Sequence, residues 1–292
     1  MDYTTQRLDR YLRKKYGIIP QSVIEKAIRN KDILVNDKKV RSSERISDND
    51  KVYVHPNIER LFNNLSLSVN KNKNISVNQK HLDLFKKIII YEDDDLLIVN
   101  KPGGMAVQLG SKINIALDVI AKAYNSELRL VHRIDKETSG ITIFAKNLES
   151  ARYMLEQFKS KQVNKTYVAL LSRKVLFKNK TIRVKLLKEK DNVIIDNIRG
   201  KPAVTEFTFV ANVSGKSLII AKPLTGRTHQ IRVHLASINA PILGDRKYGS
   251  TANKHLYLHA YEIVFKQYRT GNGLHIKAPL PEYFKKPKNI LE

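Results

Sequence analysis

Short apolar and β-branched runs dominate the chain after residue 82, and most of them are bounded by Gly, Pro or Asn. Runs of this length and composition predict β-strands. Six of them follow one another along the chain: DLLIVNKP, ITIFAK, KTYVALL, IRVKLL, VTEFTFV and SLIIAKP. We therefore expect a sheet to form the core of this part of the protein.

Helical spacing stands out in two places among these strands. The segment LESARYMLEQFKSK has an apolar stripe made of Ala151, Met154, Leu155 and Phe158. A later helix, with Thr228 as N-cap and its end at Asn239 and Pro241, has a stripe made of Ile231, Leu235 and Ile238. Because helices do not follow the strands regularly, a doubly wound parallel sheet is excluded. The pattern predicts an α+β fold with a mixed, largely antiparallel sheet and flanking helices.

The first 55 residues have a separate pattern of two short helices and a small sheet. The first helix carries apolar residues at helical spacing: Leu8, Tyr11, Leu12 and Tyr16. Ser22 and Glu25 have the spacing of a capping box, which starts a second helix that ends near Asn30 in a left-handed conformation. The runs ILVN and KVYV predict the strands.

Residues 56–81 have the weakest apolar pattern and are rich in Asn, Lys and Ser. Such a composition is typical of a flexible linker. We therefore divide the chain into a small domain at 1–55, a linker at 56–81 and a larger domain at 82–292.

The chain carries 53 Lys and Arg against 28 Asp and Glu, a formal charge of +25 over 292 residues. This excess indicates a polyanionic partner, and nucleic acid is the first candidate. No apolar run approaches the roughly 18 residues of a membrane span, and the charged N-terminus is not a signal peptide. The absence of Cys excludes disulfides and thiol catalysis. We expect a cytoplasmic monomer that does not bind membranes.

The helices of the small domain carry cations on their polar sides, among them Arg7, Arg10, Lys26 and Arg29. Like charges at helical spacing repel, so a phosphate backbone accounts for them better than a merely solvated face. The stretches QRLDRYL, PQSVIEKAIRNKDILVN and DNDKVYV resemble the small α/β S4 RNA-binding domain. Lys31 stands at a turn position where that family often has Gly.

Three stretches of the larger domain set chemically capable side chains beside tight turns. They are LVHRIDKETSG, NKTYVALL and KPLTGRTHQIRVHLA. In this order and spacing they resemble the RluA family of pseudouridine synthases, over nearly the whole chain apart from the linker. With an S4 domain in front, the nearest subclass is the RluC type, which acts on 23S ribosomal RNA of the large subunit.

The resemblance implies roles for four residues. Asp135 would be the catalytic carboxylate that isomerises a flipped-out uridine, and Arg232 would pair with it. Tyr167 would supply a ring on which the uracil stacks. Arg133 would fill the gap that the base leaves in the RNA, and we assign further RNA contacts to Arg227 and His229.

Elementary chemistry is compatible with these roles. An Asp surrounded by cations stays ionised at neutral pH, and a guanidinium can bind both oxygens of a carboxylate. The isomerisation needs no cofactor, and we expect neither a cofactor nor a metal. His229 and His234 are five residues apart, which is poor spacing for two metal ligands on one helix.

Alternative roles for the same residues remain open. A lone Asp in such a loop is most often only a turn former. The basic surface could also belong to a ribosome-assembly factor that binds ribosomal RNA without catalysis. A third possibility is a hydrolase that acts on nucleosides or phosphodiesters, although the metal ligands such enzymes use are absent.

Overall fold

The computed structural model describes residues 5–17, 19–72, 77–110, 115–249, 253–284 and 290, without the side chains of 66–72. The chain divides between residues 76 and 77 into two compact units. Each unit has its own buried core.

The first unit combines helices with two small antiparallel sheets, β1 with β3 and β2 with β4. Its elements are β1 (Gln6–Arg7), α1 (Leu8–Tyr16), α2 (Gln21–Arg29), β2 (Ile33–Val35), β3 (Arg45–Ile46), β4 (Val52–Val54) and α3 (Pro56–Asn72). The apolar stripes of α1 and α2 meet in the core, where Leu8, Leu12 and Ile24 are fully buried. The two predicted helices and both predicted strands are confirmed.

Both ends of α2 differ from the prediction. Pro20 stands at the N-cap without a side-chain cap, so the expected capping box of Ser22 and Glu25 does not form. Proline already has the φ that the start of a helix needs, and Ser22 falls inside the first turn. At the other end Asn30 stays right-handed with φ of −77°, and Lys31 takes the left-handed conformation with φ of 66°.

The expectation of a flexible linker at 56–81 is wrong, because α3 occupies most of that segment. One side of this helix packs against the core that α1, α2 and the small sheets of the first unit form. Phe62 is fully buried, and its ring lies 5.5 Å from that of Tyr16. Ile58, one turn earlier, packs against the same core. Burial of one Phe contributes about 1.5–3 kcal/mol, so Phe62 and Ile58 supply a large part of the packing that anchors this helix.

The second unit is built on one large sheet. Its strands are β5 (Ile89–Glu92), β6 (Leu96–Lys101), β7 (Arg129–Leu130), β8 (Ser139–Ala145), β9 (Asn164–Leu170), β10 (Asn179–Glu189), β11 (Asn192–Ile195), β12 (Lys201–Val213), β13 (Lys216–Pro223), β14 (Leu258–Lys266) and β15 (Gly273–Lys277). Its helices are α4 (Gln79–Lys87), α5 (Leu117–Tyr124), α6 (Leu148–Lys159) and α7 (Gln230–Ser237), with a 3₁₀ turn at Glu282–Phe284. All six predicted strands are found.

The main path of the sheet runs β11-β10-β12-β13-β9-β14-β8-β6-β5, with β15 on β14 and β7 on β8. Every pairing in it is antiparallel except that of β8 with β14. The predicted α+β fold with a mixed, largely antiparallel sheet is therefore confirmed for this unit.

Helices cover both faces of the sheet. Leu97 and Val99 of β6 point towards α4 and α5, whereas Ile98, between them, points to the face that α6 covers. On β9 the same alternation separates Ala169, which packs with α7, from Val168, which packs near the 3₁₀ turn. Helices α6 and α7 thus share one face, and their ends leave a cavity between them.

The predicted apolar stripes are confirmed except at one position. Leu155 of α6 is 51% exposed, whereas Met154 is buried. Asn147 caps α6 by accepting a hydrogen bond from the Ser150 amide. Thr228 is not the cap of α7, because His229 holds that position in the left-handed conformation.

Gly140 lies where β8 is sandwiched between β6 and β14, just after the loop that carries Asp135. Its φ is 110°, and a Cβ there would overlap the backbone of Ala260, whose nitrogen would lie only 2.7 Å away. No side chain fits without moving β14. The close approach therefore fixes the start of β8 relative to its parallel neighbour.

Substitution of Gly140 by Ala should lower the free energy of unfolding by roughly 2–5 kcal/mol, from backbone strain and overpacking together. Gly271 is the matched control, since its φ of 68° is also positive but nothing lies within 4 Å of an added Cβ. Gly271→Ala should cost only about 1–2 kcal/mol. Urea unfolding of the full chain measures both, and equal losses would show that the contact with Ala260 is unimportant.

Candidate active site

A cavity of about 510 Å³ opens on the α6–α7 face of the sheet, within the size range of ligand sites. The structure brings six of the predicted site residues to its walls: Arg133, Asp135, Tyr167, Arg227, His229 and Arg232. They come from three distant parts of the sequence, namely the loop before β8, strand β9 and the start of α7. The other four predicted residues lie in the first unit.

The loop that carries Asp135 is held by backbone contacts on its far side. The Lys101 ammonium is fully buried at the end of β6 and donates to the carbonyl oxygen of Lys136 at 3.1 Å. The amide of Gly104 donates to the same oxygen at 2.9 Å. Burial lowers the pKa of Lys101 to about 7, against the opposing effects of Glu137 and Asp135. Lys101 and Gly104 therefore hold Asp135 in position through the carbonyl group of the next residue, Lys136.

Arg232 lies close to two carboxylates. The one that accepts two hydrogen bonds from its guanidinium is Asp245, not Asp135. Its Nε and Nη2 each donate to Asp245 at 2.8 Å, whereas Nη1 lies 3.6 Å from Oδ2 of Asp135. The expected two-point grip on Asp135 is thus made on Asp245. The remaining nitrogen faces only Oδ2 of Asp135, whose side chain is 23% exposed.

Asp245 is fully buried and is one of two residues of this site that the sequence pattern did not predict. Its Oδ1 also accepts from the amides of Lys247 and Tyr248, at 3.0 and 3.1 Å. Burial alone would raise the pKa of Asp245, but the hydrogen bonds and charge of Arg232 outweigh it and lower the pKa. The segment APILGDRKYG, which carries Asp245, has no local pattern that assigns this residue a role, because its partner Arg232 lies 13 positions earlier in the chain.

Tyr167 lies on β9 with its side chain in the cavity wall. Burial, aided by the charge of Asp135, raises the pKa of its phenol well above 10. The hydroxyl therefore stays protonated at neutral pH and cannot act as a base by first losing its proton. A partly exposed neutral ring is suited to stacking on a planar ligand.

Lys165 lies two residues before Tyr167 on the same face of β9 and lines the same cavity. In the described parts of the chain its ammonium group has neither an acidic partner nor a hydrogen bond, and burial lowers the pKa of that group. The sequence pattern did not predict a role for Lys165. Its position beside the ring makes it available to an anionic ligand.

The three remaining predicted residues at the cavity differ in exposure and direction. Arg133 is exposed at the rim, and Arg227 is exposed while its Nε donates to the Pro202 carbonyl at 3.1 Å. His229 points inwards, with its Nε2 3.9 Å from Oδ2 of Asp135. Arg133 and Arg227 are thus free to contact a large ligand, whereas His229 faces the carboxylate.

The predicted cations of the first unit lie on β1, α1 and α2. Arg7 is engaged by Asp9, with contacts of 3.1 and 2.8 Å. Arg10, Lys26 and Arg29 are exposed, and no ion pair is found for them among the described side chains. Three of the four are therefore available to a partner.

No group of three or more His, Cys, Asp or Glu side chains in the described ranges is arranged to hold a metal ion. His234, whose spacing from His229 already argued against a metal pair, is fully buried, and neither of its ring nitrogens has a hydrogen-bond partner among the described residues. Likewise, none of the helices in the part of the chain that the structure describes is long and apolar enough to cross a membrane.

Comparison with known proteins identifies relatives of this chain. The family model described as RNA pseudouridylate synthase matches residues 95–237. The ribosomal large subunit pseudouridine synthase C of Rickettsia bellii is 37% identical over 95% of this chain and 95% of its own length. The protein of the same name from Buchnera aphidicola subsp. Schizaphis graminum is 36% identical over 99% of this chain and 95% of its own.

A solved structure supports the same relationship. Human RNA Pseudouridylate Synthase Domain Containing 1 superposes with a TM-score of 0.56 and 26% identity. The match covers 66% of this chain and 83% of the human chain.

Substitution of Asp245 by Asn should lower the free energy of unfolding by about 3–5 kcal/mol at neutral pH, because it leaves the buried charge of Arg232 uncompensated. The pKa of Asp245 is lowered in the folded state, so its contribution exists above the unfolded pKa and is lost as the pH falls through the folded pKa. The gap between wild type and Asp245→Asn should therefore shrink below about pH 4.

The matched control for this measurement is Glu156→Gln. Glu156 pairs with Lys159 on the exposed side of α6, where water screens the pair, and its loss should leave the urea midpoint nearly unchanged. A similarly small effect of Asp245→Asn would contradict the structural role of the buried pair.

Proposed function

This chain belongs to the RNA pseudouridylate synthase family and is an isomerase, and we propose that it converts specific uridines of 23S ribosomal RNA to pseudouridine. The proposal for the substrate is supported by relatives at 35–37% identity whose names refer to the large ribosomal subunit. They match along 95–99% of this chain, which favours the same subclass for the whole protein.

The observation that carries the proposed chemistry is the convergence of Asp135, Tyr167 and Arg232 on one cavity. In the reaction the C1′–N1 bond of uridine breaks, the uracil turns, and a C1′–C5 bond forms. The proton lost from C5 balances the one gained at N1, so the overall change needs no redox partner. Asp135 acts on the sugar or on its protons, Arg232 orients its carboxylate, and Tyr167 stacks on the detached base.

The substrate base must leave the RNA stack to reach this cavity, at a cost of a few kcal/mol. Contacts to the neighbouring phosphates offset that cost. Arg133 and Arg227 line the cavity. In this proposal both contact those phosphates, and Arg133 fills the space that the base leaves. The charge of +25 supplies long-range attraction for the RNA.

The first unit serves as an S4-type RNA-binding module in this proposal. Its support is the resemblance of the sequence between residues 6 and 54, together with the exposed cations on α1 and α2. The module increases affinity for long RNA and leaves the chemistry to the second unit. We propose that the enzyme acts as a monomer in the cytoplasm, on RNA of the assembling large subunit.

Substitution of Asp135 by Asn should abolish pseudouridine formation while leaving the urea midpoint and the Kd for RNA within about twofold of wild type. The amide keeps the shape of the carboxylate but is neither a nucleophile nor a base. Pseudouridine mapping in 23S ribosomal RNA, from cells with this protein, without it and with the variant, measures the effect. Retained modification in the variant would remove Asp135 from the chemistry, and an unchanged map in cells without the protein would favour a non-catalytic assembly factor.

Replacement of Arg10, Lys26 and Arg29 by Ala should weaken binding to ribosomal RNA and reduce the slope of log Kd against log salt by about 2–3, since each lost phosphate contact removes about 0.7–0.9. The matched control replaces Lys86, Lys87 and Lys122, which are exposed on α4 and α5, on the sheet face opposite the cavity. An equal change of slope in both triple variants would show that the first unit has no special role.

A further inference from the structure

His229 is held in an unusual position at the start of α7. Its φ of 53° lies in the left-handed region, which costs a non-Gly residue about 1–2 kcal/mol, and its side chain does not cap the helix. The backbone conformation instead turns the imidazole into the cavity towards Asp135. Backbone strain of this kind occurs mainly at functional sites, where the surrounding structure holds the strained residue in place.

One ring nitrogen of His229 is fixed by Tyr248. The distance from Nδ1 to the Tyr248 hydroxyl is 2.7 Å, and that hydroxyl oxygen accepts a hydrogen bond from the Val193 amide at 3.0 Å. With its oxygen already accepting, the phenol is free to donate its own proton to Nδ1. A neutral imidazole whose Nδ1 accepts carries its proton on Nε2.

The other ring nitrogen faces Asp135. Nε2 lies 3.9 Å from Oδ2, and Nη1 of Arg232 lies 3.6 Å from the same oxygen. Both distances are longer than a hydrogen bond, as is common before substrate binds and the site tightens. Two donors thus converge on Oδ2, and no hydrogen bond or ion pair to Oδ1 is found within the described ranges.

We propose that His229, held by Tyr248 with its proton on Nε2, is a positioning residue that donates to Oδ2 of Asp135 together with Arg232. Oδ1 is then the carboxylate oxygen that acts on the uridine. This inference rests on the proposed function and replaces the RNA contact that the sequence analysis assigned to His229.

The charged groups around His229 are consistent with a neutral donor. Burial lowers the pKa of its imidazole, and Arg232 and Lys247 lower it further, whereas Asp135 and Asp245 act in the opposite direction. A neutral ring can donate to Asp135 without adding a second full positive charge beside it. The carboxylate is therefore oriented without being further weakened as a nucleophile or base.

Two variants that carry the same amide group on side chains of different length test whether residue 229 must reach Asp135. In His229→Gln the amide nitrogen stands close to where Nε2 stood, whereas the shorter amide of His229→Asn stands near Nδ1 and cannot reach Asp135. Asn also adopts the left-handed conformation readily, so the backbone is preserved. With a large-subunit RNA transcript in single turnover, His229→Asn should slow isomerisation roughly 10- to 100-fold, and His229→Gln should stay within about tenfold of wild type.

The Kd for the transcript should remain within about twofold of wild type in both variants. Equal losses of rate in Gln and Asn, or a loss confined to Kd with a flatter salt dependence, would overturn the inference and restore an RNA contact.

Tyr248→Phe tests the fixed tautomer while keeping the ring, whose centroid lies 5.1 Å from the Arg232 guanidinium. It should slow turnover several-fold, and adding it to His229→Asn should cause no further loss, because both changes break one chain of contacts. Full additivity would contradict the proposed link.

Proton–nitrogen NMR of the full chain with ¹⁵N-labelled histidine gives a readout that does not depend on activity. It should show His229 protonated on Nε2 in wild type and a mixture of tautomers in Tyr248→Phe. A proton on Nδ1 in wild type would overturn the inference whatever the activity. A wild-type protein with the Nε2 proton that modifies no ribosomal RNA would overturn the proposed substrate instead.

Discussion

The buried ion pair between Arg232 and Asp245 is the interaction on which the site depends. A guanidinium in a largely buried position is costly unless a carboxylate neutralises it and its donors are satisfied. Asp245 meets both needs with two contacts of 2.8 Å, and two backbone amides hold Asp245 in turn. The pair leaves one nitrogen of Arg232 directed at Asp135, so a structural salt bridge supplies a preorganised cation for the chemistry.

The sheet explains how distant segments meet at this cation. Strand β8 pairs in parallel with β14, and β14 pairs with β9, so the loop before β8 arrives beside Tyr167. Gly140 allows the close approach to β14 that this arrangement needs, and Lys101 fixes the loop from behind. Because these supports belong to strands β6, β8 and β14, the sheet itself holds the loop that carries Asp135.

Protonation states divide the cavity into charged and neutral parts. Burial keeps the Tyr167 phenol protonated and lowers the pKa of His132 to about 3, and it favours the neutral form of His229 as well. The ionisable groups near the reacting position are chiefly Asp135, Asp245, Arg232 and Lys165. The cavity walls also carry Arg133, Lys159, Lys161 and Arg227, so the positive charge that attracts the polyanion extends from the protein surface to the site.

The sequence by itself determined six of the eleven strands of the large sheet, the α+β class and the cluster of Asp135, Tyr167 and Arg232, because strand periodicity is local and the motifs keep their order. It missed α3, because Phe62 gains its stability from a core formed by other elements. It also paired Arg232 with Asp135 alone, and it missed Asp245 and Lys165. Partner choice among several carboxylates, and the direction in which a ring points, are set by distances between segments far apart in the chain, and only the tertiary structure decides those distances.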